Sequence, residues 1–294
     1  MNFFLAALGV IGISASGPIM AATAAPALAI AFWRNALGAL IMGAPALATQ
    51  GKRFRQLGPV EYKWSAMAAL ALALHFACFI SALKLTSVAA ATALVCLQAA
   101  WIALFQRFRG HRPVPAVLVG LLAALAGVIV ISGFDLATSP EAIAGDALAL
   151  AGGALAGLYT IAGGQARRSM STGTYTTLCY GGSAVLLALM CVAFREPFGG
   201  FSPAAWLGIL AVTVVAQIMG HTVFNHLLAT ISPLVVSMII LLEIPGAAAL
   251  AAVFLGEKLP GGTYLGLGMI LAGLAVVVRG QGRPGAKAVV PLAQ

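Results

Sequence analysis

The sequence predicts an all-α membrane protein of ten transmembrane helices, arranged as two inverted five-helix repeats with both termini cytoplasmic. Three observations carry this expectation. Of 294 residues, 62% are apolar and only 8% charged, with a mean hydropathy of +1.04. The apolar residues gather in about ten runs of roughly 20, the length that crosses a hydrocarbon layer about 30 Å thick. The chain also matches itself at an offset of 146 residues.

The composition excludes several classes at once. A soluble domain is typically about 45–50% apolar and about 25% charged, and most of its surface must meet water. A soluble enzyme, a disordered chain and a secreted disulfide scaffold are therefore all ruled out. Cys78, Cys96, Cys179 and Cys191 fall inside apolar runs without metal-ligand spacing, so they read as small buried hydrophobes.

The spans read as 3–22, 27–48, 65–83, 87–106, 114–133, 147–166, 175–194, 204–224, 234–256 and 262–278. Continuous runs of this kind exclude a β-barrel, whose segments are short and alternate. The first run resembles a cleavable leader, but no Lys or Arg precedes it and it is long, so it counts as span 1. Residues 280–294, with Arg283, Pro284, Lys287 and Pro291, read as a disordered cytoplasmic tail.

Charge sets the orientation. Twelve of the 16 basic residues lie in loops 2–3, 4–5 and 6–7 and the tail. Three, Lys84, Arg195 and Lys258, lie on the other side, and Arg34 stands inside span 2. Cytoplasmic loops concentrate Lys and Arg, so both termini are expected inside and the net charge of +9 needs no nucleic-acid partner.

At the offset of 146, Gly120 and Gly127 fall on Gly266 and Gly273, His75 on His221, and Gly17 on Gly163. Residues 1–134 and 145–279 are therefore read as repeats. Five spans each is an odd number, so the second enters from the opposite side. Secondary transporters use such inverted repeats, with the site near the bilayer midplane between the halves. Glycines four apart, Gly153 with Gly157 and Gly262 with Gly266, predict close helix contacts.

Several local patterns accompany the repeat. They are Arg34 in span 2, Gly145-Asp146 opening span 6, Glu243-Ile244-Pro245 in span 9, Phe254 to Leu259 before span 10, and the glycines of span 10. On these the chain resembles the drug/metabolite transporter superfamily, in its ten-helix branch of bacterial metabolite exporters of the EamA type, over about residues 1–279. The first half departs from the pattern, with Leu97-Gln98-Ala99 and Gly110-His111-Arg112-Pro113 at the repeat positions of the later motifs. The resemblance implies an exporter of amino acids or similar small organic metabolites in a bacterial inner membrane. It implies alternating access, with no cofactor and no ATPase, and no phosphate-binding loop motif is present.

Polar residues inside spans are the default site candidates, because in lipid they are costly. Thr213, Gln217, His221 and Asn225 are each four apart and would form one helical stripe. This stripe either lines a cavity or makes interhelical hydrogen bonds. His75, with Phe79 one turn on, is the repeat partner of His221, and an imidazole can also carry a proton. Gln98 and Trp101 on span 4 and Tyr159 on span 6 offer an aromatic wall with one amide, although Trp101 also fits an interfacial role. Glu243 and Arg34 are the acid and the base deep in spans, read either as a coupling carboxylate with its neighbour or as a structural ion pair. Gly17, Pro18 and Pro245 are candidate hinges. Tyr175, Thr176, Thr177 and Tyr180 run sequentially and read as interfacial.

The expected partners are a small-molecule substrate, protons as a coupling ion and the lipid bilayer, with no nucleic acid and no metal, and the chain is expected to work as a monomer. An exporter of drugs or organic cations is the alternative within the family. An intramembrane enzyme or a channel are rivals of other classes. Against the enzyme, His221 and His226 have no carboxylate or Cys at ligand spacing.

Overall fold

The computed structural model describes residues 3–108, 110, 115–135, 139–258 and 261–281, and these residues are helical with short connections. In chain order the helices are α1 (Phe3–Ser14), α2 (Ser16–Ala22), α3 (Ala27–Arg55), α4 (Pro59–Ala82), α5 (Val88–Val95), α6 (Gln98–Phe108) and α7 (Pro115–Asp135). Then come α8 (Pro140–Ala166), α9 (Thr172–Ala193), α10 (Pro203–Val212), a π-helical stretch Thr213–Thr222, α11 (Val223–Leu227), α12 (Pro233–Ile240), α13 (Glu243–Leu255) and α14 (Gly261–Gln281). Eight helical stretches are long and apolar enough to cross a membrane, and shorter apolar stretches, Leu118–Val130 and Tyr264–Gly273, lie within α7 and α14. The tail from 282, and with it Arg283 and Lys287, lies outside the described residues, as do Arg109, His111, Arg112 and Leu259.

Local chemistry sets the helix ends. The hydroxyls of Ser87, Ser139, Ser171, Ser202 and Ser232 each accept a backbone N–H three residues on, at 3.1–3.4 Å. Each satisfies a donor that the first helical turn leaves orphaned. Proline follows three of these serines, at Pro140, Pro203 and Pro233, where the missing N–H costs nothing. At α4, Glu61 Oε2 accepts the Gly58 N–H at 3.0 Å.

Three spans are broken. Span 1 breaks at Ala15, span 4 at Cys96–Leu97 and span 9 at Leu241–Leu242. Pro18 and Pro245 sit in the first turn after their breaks. A proline ring removes the bond to residue i−4, which is Ser14 for Pro18 and Leu241 for Pro245. The breaks therefore fall just upstream of these prolines. The breaks in spans 4 and 9 are 145 residues apart and have the same form: a serine-capped half-helix, then a second half opening on a polar residue, Gln98 or Glu243.

The packing repeats the same two-fold pattern. α3 packs along α9 and α7 along α14, each joining equivalent spans of the two halves. α4 packs along α8 as the π-helical stretch packs along α1. The α7–α14 contact shows the direction: a Cβ on Gly127 would stand 2.5 Å from Gly266 O, and one on Gly273 would strike Gly120 O. Contact of 127 with 266 and of 120 with 273 means the two helices run antiparallel. Gly153 likewise lets α8 reach the backbone of Val95, where a Cβ would stand 2.8 Å from its carbonyl.

The main apolar core runs through Met20, Ile30, Leu72, Phe76, Ile102 and Leu187. A separate smaller cluster joins Ala6 and Ile13 of α1 to Phe224, Leu227, Leu228 and Val236. Large apolar side chains elsewhere, such as Leu122, Ile129, Val185 and Leu207, face outward, as a lipid-facing surface requires.

Candidate functional site

A cavity of about 40 Å³ lies between the halves, enough for a few water molecules at about 10–15 Å³ each. Six of the eight expected lining residues border it: His75, Phe79, Gln98, Tyr159, His221 and Asn225. Glu243 does as well. Much of the lining comes in repeat pairs. Ile13 with Tyr159, His75 with His221 and Phe79 with Asn225 are 146 residues apart, and Val95 with Ile240 and Gln98 with Glu243 are 145 apart. The cavity therefore sits on the pseudo-two-fold axis.

The two imidazoles meet there, their ring centres 6.5 Å apart. His75 Nδ1 lies 3.0 Å from Gly152 O, so that nitrogen donates, because a carbonyl only accepts. Phe79 stacks on His75 at 5.9 Å, and Phe76 meets His221 edge-on at 5.2 Å. Tyr159 donates its hydroxyl to Asn225 Oδ1 at 2.8 Å, and Asn225 Nδ2 donates to Tyr180 Oη at 3.1 Å. Thr160 donates its hydroxyl to Ala156 O at 2.8 Å, and its Oγ1 lies 3.4 Å from the Gln98 side-chain amide.

The expected single stripe on span 8 is corrected by the π-helical stretch. Its i→i+5 pattern widens each turn, so a spacing of four no longer keeps one face. Thr213 returns its hydroxyl to Ile209 O at 2.7 Å. Gln217 leaves the cavity and accepts from Arg34 Nε at 2.9 Å. Only His221 and Asn225 keep the cavity face. Trp101 also lies outside the lining and stacks on Phe105 at 6.2 Å.

Arg34 is completely buried. Its Nη1 points at Met20 Sδ, 3.2 Å away, and its guanidinium lies 4.0 Å over the Phe76 ring. The direct ion pair with Glu243 is corrected: among the described residues no cationic nitrogen lies within 4.0 Å of the Glu243 carboxylate, whose Oε2 has the Cys96 thiol at 4.0 Å. The planar guanidinium instead finds an amide, a thioether and an aromatic face on its own side. Gly17 packs against Val88 and Thr92, at the start of α2 rather than at the break. Tyr175 and Tyr180, expected at an interface, are fully buried, because α9 turns them inward against α3 and α8. Thr160 and Ser16, which also border the cavity, were not singled out in the sequence, where isolated hydroxyls inside apolar runs carry no periodic signal.

Polar ties stand at the ends of the halves. Lys84 Nζ donates to the carbonyls of Met20 at 3.0 Å and Thr23 at 2.7 Å, at the C-terminal end of α2. Burial lowers this ammonium below the ordinary lysine value. Thr86 donates to Asp146 at 3.0 Å, and Val88 N–H donates to Glu257 at 3.0 Å. In the second half Arg167 donates to the carbonyls of Asn225, at 2.9 Å, and Met170, and burial lowers its value too. Ser169 donates to Glu61 at 3.0 Å, and Ser171 to Gln50 at 2.5 Å.

An all-helical membrane protein built twice over, with a polar cavity on the axis between its halves, has the form of a membrane transporter. The EamA-like transporter family matches the chain in two stretches, residues 2–133 and 143–279. The chain belongs to that family, within the drug/metabolite transporter superfamily, whose members are transporters rather than enzymes. A protein of known crystal structure is similar in fold, with a TM-score of 0.72 over 94% of this chain and 96% of the other at 22% identity. No curated protein matches the sequence.

Proposed function

We propose that the chain is a ten-helix secondary carrier that exports amino acids or similar small organic metabolites across a bacterial inner membrane. The halves 1–134 and 145–279 form an inverted repeat, with both termini cytoplasmic, and open the cavity alternately to each side. The single observation that carries this reading is a cavity whose lining is drawn pairwise from the two repeats. Equivalent walls related by a two-fold axis are what two open states exchanged by that axis require. At about 40 Å³ the cavity is far below the roughly 300–1,000 Å³ of an occupied ligand site, so substrate entry requires one end to widen. Glu243, with no cationic nitrogen within 4.0 Å among the described residues, would couple transport to protons, and Gly17, Pro18 and Pro245 flank the breaks about which half-helices would bend.

Counterflow in proteoliposomes with a panel of labelled amino acids tests the reading. Saturable exchange supports a carrier, and conductive, non-saturable flux would mean a channel. If no amino acid shows saturable flux above empty liposomes, the substrate assignment is wrong. Glu243→Gln is expected to fold and to lose dependence on a proton gradient.

A further inference from the structure

The connection from α3 to α4 meets the connection from α8 to α9 at one end of the molecule, and a second cavity of about 270 Å³ lies between them. Occupied ligand sites begin at roughly 300 Å³. It shares no lining residue with the central cavity. Arg53, Gln56 and Glu61 line it from the first half, and Ser169, Ser171 and Thr174 from the second. Lys52, Arg55 and Lys63 flank it in the sequence but do not line it.

The two charges of this lining do not meet. No carboxylate oxygen of Glu61 lies within 4.0 Å of an Arg53 guanidinium nitrogen, although both border one cavity. Among the described residues neither the Arg53 guanidinium nor the Gln56 amide makes a hydrogen bond, and no acid lies within 4.0 Å of Arg53. Glu61 is held by neutral donors: Oε1 accepts the Ser169 hydroxyl and Oε2 the Gly58 N–H, both at 3.0 Å. Each oxygen keeps a further lone pair. A free guanidinium and a carboxylate set apart across one cavity complement a ligand that carries both signs. The cavity also stands at the level expected of lipid headgroups. Lys63 Nζ lies 5.6 Å over the Trp64 ring, and aromatic and basic side chains of this kind mark the membrane–water interface. Val60 and Met67, seven residues apart on α4, face outward at 62% and 44% exposure, which gives an acyl chain an apolar track beside the cavity.

We propose that this second cavity is a site for a phospholipid headgroup that bears both a phosphate and a primary ammonium, as phosphoethanolamine does. The phosphate oxygens accept from the Arg53 guanidinium and the Gln56 amide, and the ammonium donates to Glu61. A headgroup without the amine would set its phosphate against the Glu61 charge unrelieved, and a trimethylated amine has no N–H to donate. Because the lining comes from both halves, the bound headgroup ties them together at that end, beside the Ser169–Glu61 and Ser171–Gln50 hydrogen bonds. The site does not depend on what the central cavity carries; it needs only a chain that lies in a bilayer.

Native mass spectrometry of the purified full chain in detergent tests it, after exchange into phosphatidylethanolamine, phosphatidylcholine or phosphatidylglycerol of identical acyl chains. Phosphatidylethanolamine is expected to be retained about tenfold over either of the others, the scale of one charge-assisted hydrogen bond. Arg53→Gln should bring the three lipids to within about threefold of one another, since it removes the charged donor to the phosphate. Glu61→Gln keeps an acceptor for the Gly58 N–H and should abolish the preference over phosphatidylglycerol. Arg55→Gln removes a charge outside the cavity and should leave the ranking unchanged. Unfolding midpoints accompany each variant, and the unmodified chain's ranking of the three lipids decides the matter if a variant does not fold. The proposal is overturned if phosphatidylglycerol or phosphatidylcholine is retained as well as phosphatidylethanolamine, or if Arg53→Gln and Arg55→Gln behave alike. Binding of soluble phosphoethanolamine to the delipidated chain, with no preferential retention of the lipid, would assign the cavity to a soluble zwitterion and also overturn it.

Discussion

Gly12 of α1 lies directly on the backbone of Gly220 in the π-helical stretch. A methyl group at Gly12 would stand 2.8 Å from Gly220 N and 2.6 Å from Val215 O. Those two residues are five apart, the spacing of a π-helical bond, so the smallest residue meets the widest turn. Gly12→Ala is expected to destabilise the protein by about 1–3 kcal/mol, as overpacking against backbone does. Gly181→Ala, where nothing lies within 4 Å of the added carbon, is the comparison and should be neutral or gain up to about 1 kcal/mol. Thermal unfolding in detergent checks both, and equal midpoints for the two variants would refute the packing argument.

The glycine crossing of α7 and α14 makes a sharper demand. Gly127 and Gly273 occupy equivalent positions on either side of the two-fold axis, each against the partner helix's backbone. Gly127→Ala and Gly273→Ala are each expected to cost about 1–3 kcal/mol. The double variant should cost less than their sum, since either alone already forces the same helices apart. Strict additivity in unfolding measurements would count against one shared contact.

Arg34 depends on Gln217 for its Nε hydrogen bond. Gln217→Leu leaves a buried charged donor unmet and is expected to cost about 2 kcal/mol. Adding Arg34→Leu should recover part of that loss, because a buried charge without its partner is worse than none. Chemical denaturation of the two single variants and the double variant checks this. No recovery in the double variant would mean that Arg34 is held by its Met20 and Phe76 contacts instead.

Lys84 links stability to alkaline pH. Its folded value lies below the ordinary 10.5 because burial disfavours the charged form. Between the lowered value and 10.5 the unfolded chain binds more protons than the folded one, so stability rises with pH across that window. The amine is partly exposed, so the rise is small. Lys84→Met is expected to abolish this slope in unfolding midpoints measured at successive pH values, and to lower the midpoint near neutrality by stripping the end of α2 of its donor. A slope unchanged in the variant would assign it to another group.

Much of the architecture was legible in the sequence because membrane burial writes itself in composition and period. The apolar runs and the glycines at 120, 127, 266 and 273 pointed to a helical, duplicated chain. The histidines paired by the repeat border the cavity, as do Gln98, Tyr159 and Asn225, which were picked out as polar or aromatic residues inside spans. What was not legible was local backbone geometry. No residue pattern distinguishes a π-turn from an α-turn, so the stripe from Thr213 to Asn225 looked continuous and Gln217 was placed on the wrong side. The breaks at Cys96–Leu97 and Leu241–Leu242 were only half visible, since Pro245 marks one and nothing marks the other. Charge sign alone suggested Arg34 with Glu243, but the guanidinium lies against an amide, a sulfur and an aromatic face instead, with its Nη2 buried and without a hydrogen-bond partner among the described residues.

The α7–α14 crossing also has a mechanical consequence. Where helices touch backbone to backbone there are no side chains to slide or repack, and the contact lies across the axis that relates the halves. Relative rotation of the halves about that crossing preserves it, whereas separation breaks it. In the carrier proposed above it would serve as a fulcrum, so that widening the cavity at one end would lever the other end shut.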